Sequence, residues 1–114
     1  MQYLGSLRSE GVPPAPIPEF EKAVQLKPDY LDALVNLGEA YIDANRVQQS
    51  LPLLRKAIEL EPESTEAHDF LGAALFRLGD REAAMEQLQI LDRLDPKFDG
   101  VVKKLLNQEG LKGE

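Results

Sequence analysis

Apolar residues in the middle of this chain recur with the spacing of one face of an α-helix. A first stripe, at positions i, i+3, i+4 and i+7, comprises Leu34, Leu37, Gly38 and Tyr41. A second stripe with helical spacing comprises Val47, Leu51, Leu54 and Ile58. Because an α-helix makes one turn in about 3.6 residues, each stripe predicts an amphipathic helix with one apolar face.

The same two stripes return farther along the chain. They comprise His68, Leu71, Gly72 and Leu75, followed by Ala84, Leu88 and Leu91. Asn45 separates the first pair of stripes and Gly79 separates the second pair. Since Asn and Gly accept the left-handed backbone conformation that ends many helices, each pair predicts a helix–turn–helix unit.

Three prolines show the length of the unit. Pro28, Pro62 and Pro96 are spaced 34 residues apart. Each lies just past a predicted helix end, where the missing N–H costs nothing and the ring prevents the helix from continuing. A fixed period of roughly 20–50 residues is typical of stacked repeats, so the predicted fold class is all-α.

Polar side chains at the unit boundaries are candidates for helix caps. Asp80 follows the Gly79 turn, while Asp29 and Ser64 precede the first helices of their units. Carboxylate and hydroxyl oxygens accept hydrogen bonds from the free N–H groups of a helix N-terminus. We therefore expect these three residues to cap the helices that follow them.

The repeated unit resembles the tetratricopeptide repeat. The resemblance rests on residues 31–64 and 65–98, with Leu37-Gly38, Tyr41, Ala57 and Pro62 in one unit and Leu71-Gly72, Gly79, Ala84 and Pro96 in the next. Asn45 replaces the turn glycine, and Leu75, His68 and Leu91 depart from the usual aromatic, large apolar and small residues. The resemblance implies a right-handed solenoid of helix–turn–helix repeats.

The two ends of the chain depart from the repeat. Residues 1–30 form a degenerate first repeat, because Pro13, Pro14, Pro16 and Pro18 occupy half of its second helix and proline in a helix interior costs about 3 kcal/mol. We expect helix only from Pro18 to Lys27, an extended segment at 12–17 and at most a short helix at 3–8. At the other end, 99–109 is expected to form a capping helix that Gly110 ends, leaving a tail at 110–114.

Composition narrows the possible functions. The net charge of −7 argues against nucleic acid and anionic membrane surfaces as partners. The absence of cysteine excludes disulfides, and the sequence has neither a long apolar run nor the order of a secretory leader, so we expect a cytoplasmic protein. It lacks Walker, nucleotide-binding and zinc-protease motifs. We expect no catalytic residue, cofactor or metal, and a structural role for His68.

The candidate site is a groove lined by first helices. In the tetratricopeptide repeat family these helices form a concave surface that takes a peptide. By position, the resemblance implies a groove here of Asp32, Val35, Asn36, Glu39, Ile42, Asp43, Glu66, Asp69, Phe70, Ala73, Phe76 and Arg77. All twelve are expected to be at least partly exposed, although Phe70 and Phe76 could instead pack between helices and the acids could simply solvate the surface.

The groove residues predict the chemistry of the partner. The family's clamp for C-terminal carboxylates uses Lys or Arg with Asn, and only Asn36 matches it. The acids would repel a carboxylate, so we expect a basic or amphipathic protein segment anchored on Ile42 and Phe76. Replacing both anchors with Ala is expected to abolish capture of the partner without unfolding the domain.

Self-assembly is the alternative function. The degenerate first repeat leaves an apolar end near Phe20, Val24 and Leu26, which another copy of the chain could cover. Head-to-tail contacts would grow filaments and two-fold contacts would give a dimer. An enzyme is the third hypothesis, and no nucleophile beside a base supports it.

Overall fold

The structure, a computed structural model, describes residues 17–112, the last four of them by backbone alone. This part of the chain forms six helices and no strand: α1 (Ile17–Leu26), α2 (Leu31–Asp43), α3 (Val47–Leu60), α4 (Thr65–Arg77), α5 (Arg81–Leu94) and α6 (Val101–Lys112). The expectations for 3–8 and for 12–16 lie outside the described residues.

The helices stack as a right-handed solenoid of helix hairpins. Each hairpin turns on one residue with positive φ, Asn45 at 64° in the α2–α3 turn and Gly79 at 92° in the α4–α5 turn. Both turns confirm the left-handed positions expected from the sequence. α1 packs against α2 much as α3 packs against α4, so α1 holds the place of the second helix of a preceding repeat.

Two of the three predicted caps are confirmed. The hydroxyl of Ser64 accepts the N–H of Ala67 at 3.2 Å, and the Asp80 carboxylate accepts the N–H of Ala83 at 3.1 Å. The prediction for Asp29 is wrong, because the residue that precedes α2 is Tyr30, which makes no side-chain cap. Asp29 stands one residue too early to cap a helix that begins at Leu31.

Small residues bring the helices close together. Ala57 and Ala84 are fully buried on α3 and α5. A Cβ added at Gly38 would lie 2.8 Å from the Leu54 side chain, and one added at Gly72 would lie 2.7 Å from Cγ2 of Val102. Because real Cβ atoms do not approach that closely, both glycines mark places where a side chain of a packed helix rests on the backbone of a first helix.

α6 does not continue the regular stacking. α4 contacts the preceding second helix, α3, more than the preceding first helix, α2, whereas α6 contacts α4 more than α5. Val102 is fully buried against α4, while its neighbour Val101 is exposed. The C-terminal helix is therefore displaced toward the first helices, which form the candidate site.

The helix ends differ slightly from those expected. α1 includes Ile17, which was expected to be extended, and Pro18 lies in its first turn, where proline is tolerated. α6 continues through Gly110 to Lys112. A glycine inside a helix costs only about 1 kcal/mol relative to alanine, so it does not by itself end one.

Candidate functional site

The first helices present two parallel stripes of side chains. On α2 the stripe has helical spacing and its members are all exposed: Asp32, Asn36, Glu39 and Asp43. The corresponding stripe on α4 comprises Glu66, Phe70, Ala73 and Arg77, of which Glu66 and Arg77 are exposed. These six exposed residues, together with the half-buried rings of Phe70 and Phe76, form what we call the first-helix surface.

Two of the predicted groove residues on α2 are buried, which corrects the expected exposure. Val35 retains 7% of its accessible surface and packs in one apolar cluster with Ala67 of α4. Ile42 retains 5% and packs in a second cluster with Leu71 and Ala74. Because α4 lies over both side chains, Ile42 is part of the core and does not offer a partner an exposed anchor.

Two predicted groove residues on α4 are also buried. Asp69 retains 3% of its surface and Ala73 retains 2%. α4 is the most enclosed helix, since α2, α3, α5 and α6 all pack against it. The Asp69 carboxylate accepts the N–H groups of Val101 and Val102 at 3.0 and 2.9 Å, so it caps α6 and is not available to a partner.

The two phenylalanines combine both roles considered from the sequence. Phe70 packs against both apolar clusters, and Phe76 packs against the cluster that contains Ile42. Both rings are only half-buried. Each therefore helps hold α4 in place and leaves part of its ring on the surface.

Four carboxylates form an acidic patch on the first-helix surface: Asp32, Glu39, Asp43 and Glu66. The pKa of Glu39 is raised above its ordinary value, chiefly because burial removes water from the charged form, and further because Asp43 and Glu66 repel it. Because the charge of Glu66 on α4 affects the pKa of Glu39 on α2, the two stripes lie close enough to interact electrostatically. A positive charge placed beside Glu39 would favour its ionised form.

His68 has the structural position expected from the sequence. It is buried, with Nδ1 at 2.7 Å from Oε1 of Gln87 on α5 and Nε2 at 2.8 Å from the carbonyl oxygen of Pro62. Both ring nitrogens are therefore occupied by contacts that join α4 to α5 and to the preceding turn. Within residues 17–112, no group of three or more His, Asp or Glu side chains is placed to hold a metal ion.

The sequence reasoning missed a cleft beside the α2–α3 turn. This turn cleft has a volume of about 640 Å³, and its lining includes Asn45, Arg46, Gln48, Gln49, Arg77 and Leu78. Of these, only Arg77 belongs to the predicted groove. The signal was present in the 34-residue alignment, because Arg46 stands where the next repeat has Asp80.

The two arginines of the turn cleft are held by different contacts. Nε of Arg46 donates to Oε1 of Gln49 at 2.7 Å, and its guanidinium lies 4.7 Å from the centre of the Tyr41 ring. Nη1 of Arg77 donates to the carbonyl oxygen of Ile42 at 3.5 Å, at the C-terminal end of α2. Both side chains remain exposed.

None of the helices between Ile17 and Lys112 is long and apolar enough to cross a membrane.

Comparison with known proteins identifies the repeat. The family model for the tetratricopeptide repeat matches residues 35–97. Superkiller protein 3 of Saccharomyces cerevisiae (strain ATCC 204508 / S288c) is 32% identical over 75 residues, which cover 66% of this chain and 5% of that protein. The chain thus corresponds to a small part of this relative.

Solved structures show the same fold. A crystal structure of MamA matches with a TM-score of 0.66 and 29% identity, covering 70% of this chain and 47% of that one. The first TPR of Spaghetti (RPAP3), bound to the HSP90 peptide SRMEEVD, matches with a TM-score of 0.75 over 86% of this chain and 78% of that one. At 20% identity, the latter likeness concerns the fold alone.

Proposed function

The chain belongs to the tetratricopeptide repeat family, and we propose that it is an interaction module. Its first-helix surface binds a basic or amphipathic segment of a protein partner. Proteins of this family generally mediate protein–protein interactions and are typically not enzymes. The assignment of the binding surface to α2 and α4 is our own. It is supported by the charges and rings that these helices expose.

The acidic patch carries the proposal. Glu39 holds its proton more tightly than an ordinary glutamate because it is partly desolvated and faces Asp43 and Glu66. A lysine or arginine of a partner would remove this repulsion and gain charge-assisted hydrogen bonds. A C-terminal carboxylate would add to the repulsion, so we do not propose the carboxylate clamp for this surface.

The apolar part of the partner requires different anchors from those inferred from the sequence. Ile42 lies in the core, so the exposed parts of the Phe70 and Phe76 rings replace it. An amphipathic segment fits this arrangement, with its basic residues over the acidic patch and its apolar residues over the rings. The Ile42→Ala variant does not test binding by itself, because removing a buried side chain of this size also costs about 2–5 kcal/mol of stability.

Site-specific photo-cross-linking in native lysate tests the proposed surface. A photoreactive amino acid replaces Asn36, which is exposed in the middle of the α2 stripe, or Arg55, which is also exposed but lies on α3. We expect partner adducts from position 36 and none from position 55. Adducts from position 55 alone would place the binding surface on the second helices.

Charge reversal then tests the acidic patch. The Glu39→Lys/Asp43→Lys variant is expected to lose the adducts formed from position 36. The matched control Glu59→Lys/Glu86→Lys makes the same change in net charge at exposed positions on α3 and α5, and it is expected to keep them. Equal loss in both variants would mean that only the overall charge of the protein matters.

Self-assembly is a second candidate, favoured by one observation. α1 contains no buried residue, and Leu26 near its end is 78% exposed. Another copy could cover this end of the array, because stacked repeats bury their apolar faces against neighbours. Light scattering at increasing concentration should then show association that Leu26→Asp reverses, whereas a monomer at all concentrations would exclude this candidate.

A further inference from the structure

The two complete repeats differ at the start of their second helices. In the second of them Asp80 directly precedes α5, and its carboxylate accepts the N–H of Ala83. At the equivalent position, 34 residues earlier, Arg46 precedes α3 and makes no side-chain cap. A carboxylate, that of Asp80, thus lies at the start of α5. At the equivalent position before α3 the chain has the guanidinium of Arg46 instead.

The start of α3 also opens into the turn cleft. Val47, Gln48 and Gln49 belong both to the first turn of α3 and to the lining of the cleft. The N–H of Gln49 is bonded to the carbonyl of Arg46. In the described part of the chain, no residue accepts a hydrogen bond from the N–H of Val47 or Gln48.

Two guanidinium groups face the same cleft. Arg46 is fixed by Tyr41 and Gln49, and Arg77 reaches in from the end of α4. Among residues 17–108, neither forms an ion pair with a carboxylate. Guanidinium groups bind carboxylates in a bidentate geometry, so two of them beside free N–H groups favour an anionic ligand.

We propose that the turn cleft binds a carboxylate side chain of an acidic peptide segment. An Asp or Glu of this segment takes, at α3, the place that Asp80 takes at α5, and Arg46 and Arg77 donate hydrogen bonds to it. This site shares Arg77 with the first-helix surface but contains no residue of the acidic patch. It takes a ligand of opposite charge, so it does not depend on the function proposed above.

An acidic peptide fits the turn cleft better than a free phosphate ion. The volume of about 640 Å³ accommodates several residues and is far larger than one small anion needs. The exposed amides of Asn45, Gln48 and Gln49 can donate to and accept from a peptide backbone. The group that the next repeat places at its helix start is a carboxylate.

Titration of the full chain followed by ¹⁵N–¹H NMR tests the proposal. The probe is acetyl-(Glu)4-amide, in which both ends are blocked, and the reference peptide is acetyl-(Gln)4-amide. We expect the glutamate peptide to shift the amide signals of Val47, Gln48 and Gln49, and the glutamine peptide to bind at least tenfold more weakly. Equal binding of the two peptides would overturn the proposal.

Paired variants separate the site from general charge effects. Arg46→Gln/Arg77→Gln is expected to weaken binding of the glutamate peptide at least tenfold. The control Arg55→Gln/Arg93→Gln removes two exposed arginines outside the cleft and is expected to retain the affinity. Equal weakening in both variants would show that the peptide responds only to net charge.

A phosphate titration and a single variant complete the test. If inorganic phosphate shifts the same amide signals and binds with higher affinity than the glutamate peptide, the cleft is a phosphate site and the peptide assignment is overturned. If the double variant does not fold, Arg77→Gln alone is used, since this exposed side chain makes one long hydrogen bond. Unchanged binding by Arg77→Gln would remove Arg77 from the site and contradict the proposal.

Discussion

The carboxylate of Asp69 on α4 caps α6 by accepting the N–H of Val102 at 2.9 Å. The second oxygen of the same carboxylate accepts the N–H of Val101. One buried side chain therefore joins two helices that are separated by the whole of α5. Because the helix N-terminus is a favourable place for negative charge, this contact keeps a carboxylate that was expected in the groove away from solvent.

Loss of this cap should loosen the C-terminal helix. Asp69→Ala leaves two N–H groups unpaired at the start of α6, and we expect it to lower the free energy of unfolding by about 1–2 kcal/mol. Urea denaturation measures this loss of stability. Relative to the natural chain, hydrogen exchange should increase more in α6 than in the other helices. Asp99→Ala removes an exposed acid just before the same helix and should cost little; a larger loss for Asp99→Ala would contradict this account.

A methyl group at Gly72 should disturb the same contact. In Gly72→Ala the new Cβ would lie 2.7 Å from Cγ2 and 3.0 Å from Cβ of Val102. Such overpacking costs about 1–3 kcal/mol, which exceeds the gain of about 1 kcal/mol from the better helix propensity of alanine. We therefore expect lower stability in thermal unfolding. Adding Val102→Ala should cost less than the sum of the two single changes, and strict additivity would show that the two residues do not collide.

Removal of one hydroxyl should loosen the attachment of α1 to α2. The hydroxyl of Tyr41 on α2 donates to Oε2 of Glu21 on α1, a contact between two helices that otherwise share few buried residues. Tyr41→Phe is expected to cost about 1 kcal/mol and to speed hydrogen exchange in α1 more than in α4. The control Tyr30→Phe changes an exposed tyrosine and should leave exchange in α1 unchanged.

The same tyrosine makes stability depend on alkaline pH. Burial raises the pKa of Tyr41 above its ordinary value of 10.0 and is the largest cause. The hydrogen bond to Glu21 and the charge of Glu21 raise this pKa further, while the charge of Arg46 lowers it. Folded Tyr41 therefore holds its proton more tightly than unfolded Tyr41, and stability is lost as the pH rises above about 10. Tyr41→Phe should remove this part of the alkaline loss, which denaturation at several pH values measures.

The acidic patch should reduce stability at neutral pH. Burial and the neighbouring acids raise the pKa of Glu39 above 4.5, so the folded state binds this proton more tightly than the unfolded state. The contribution of protonated Glu39 to stability is therefore fully present below the unfolded pKa and is lost as the pH rises through the folded pKa. Glu39→Gln should remove this decline and stabilise the protein at pH 7 by about 0.5 kcal/mol or less, because the group is largely exposed and screened.

A matched glutamate distinguishes this effect from the net charge. Glu59→Gln removes an exposed acid on α3 outside the patch and should leave the decline with pH as it is. Denaturant titrations at pH 4, 5.5 and 7 compare the two variants with the natural chain. Parallel curves for Glu39→Gln and the natural chain would mean that the patch does not strain the fold.

Features that depend on nearby residues could be predicted from the sequence. The turns at Asn45 and Gly79 and the caps at Ser64 and Asp80 involve neighbours within a few positions, so residue type and spacing were enough. The 34-residue period, with the residues that repeat in step with it, predicted the family and the all-α solenoid. The failed cap at Asp29 shows the limit of this reasoning, because a shift of one residue in the helix start moves the side chain out of reach.

Features that depend on how helices meet were decided only by the tertiary structure. The spacing placed Val35, Ile42 and Asp69 on the first helices but did not show that α4 and α6 cover them. The displacement of α6 toward α4 follows from Val102 resting on Gly72 and from the Asp69 cap, contacts between residues about 30 positions apart. Helical period sets which side of a helix a residue faces, but its exposure depends on the neighbouring helices, whose positions result from long-range packing.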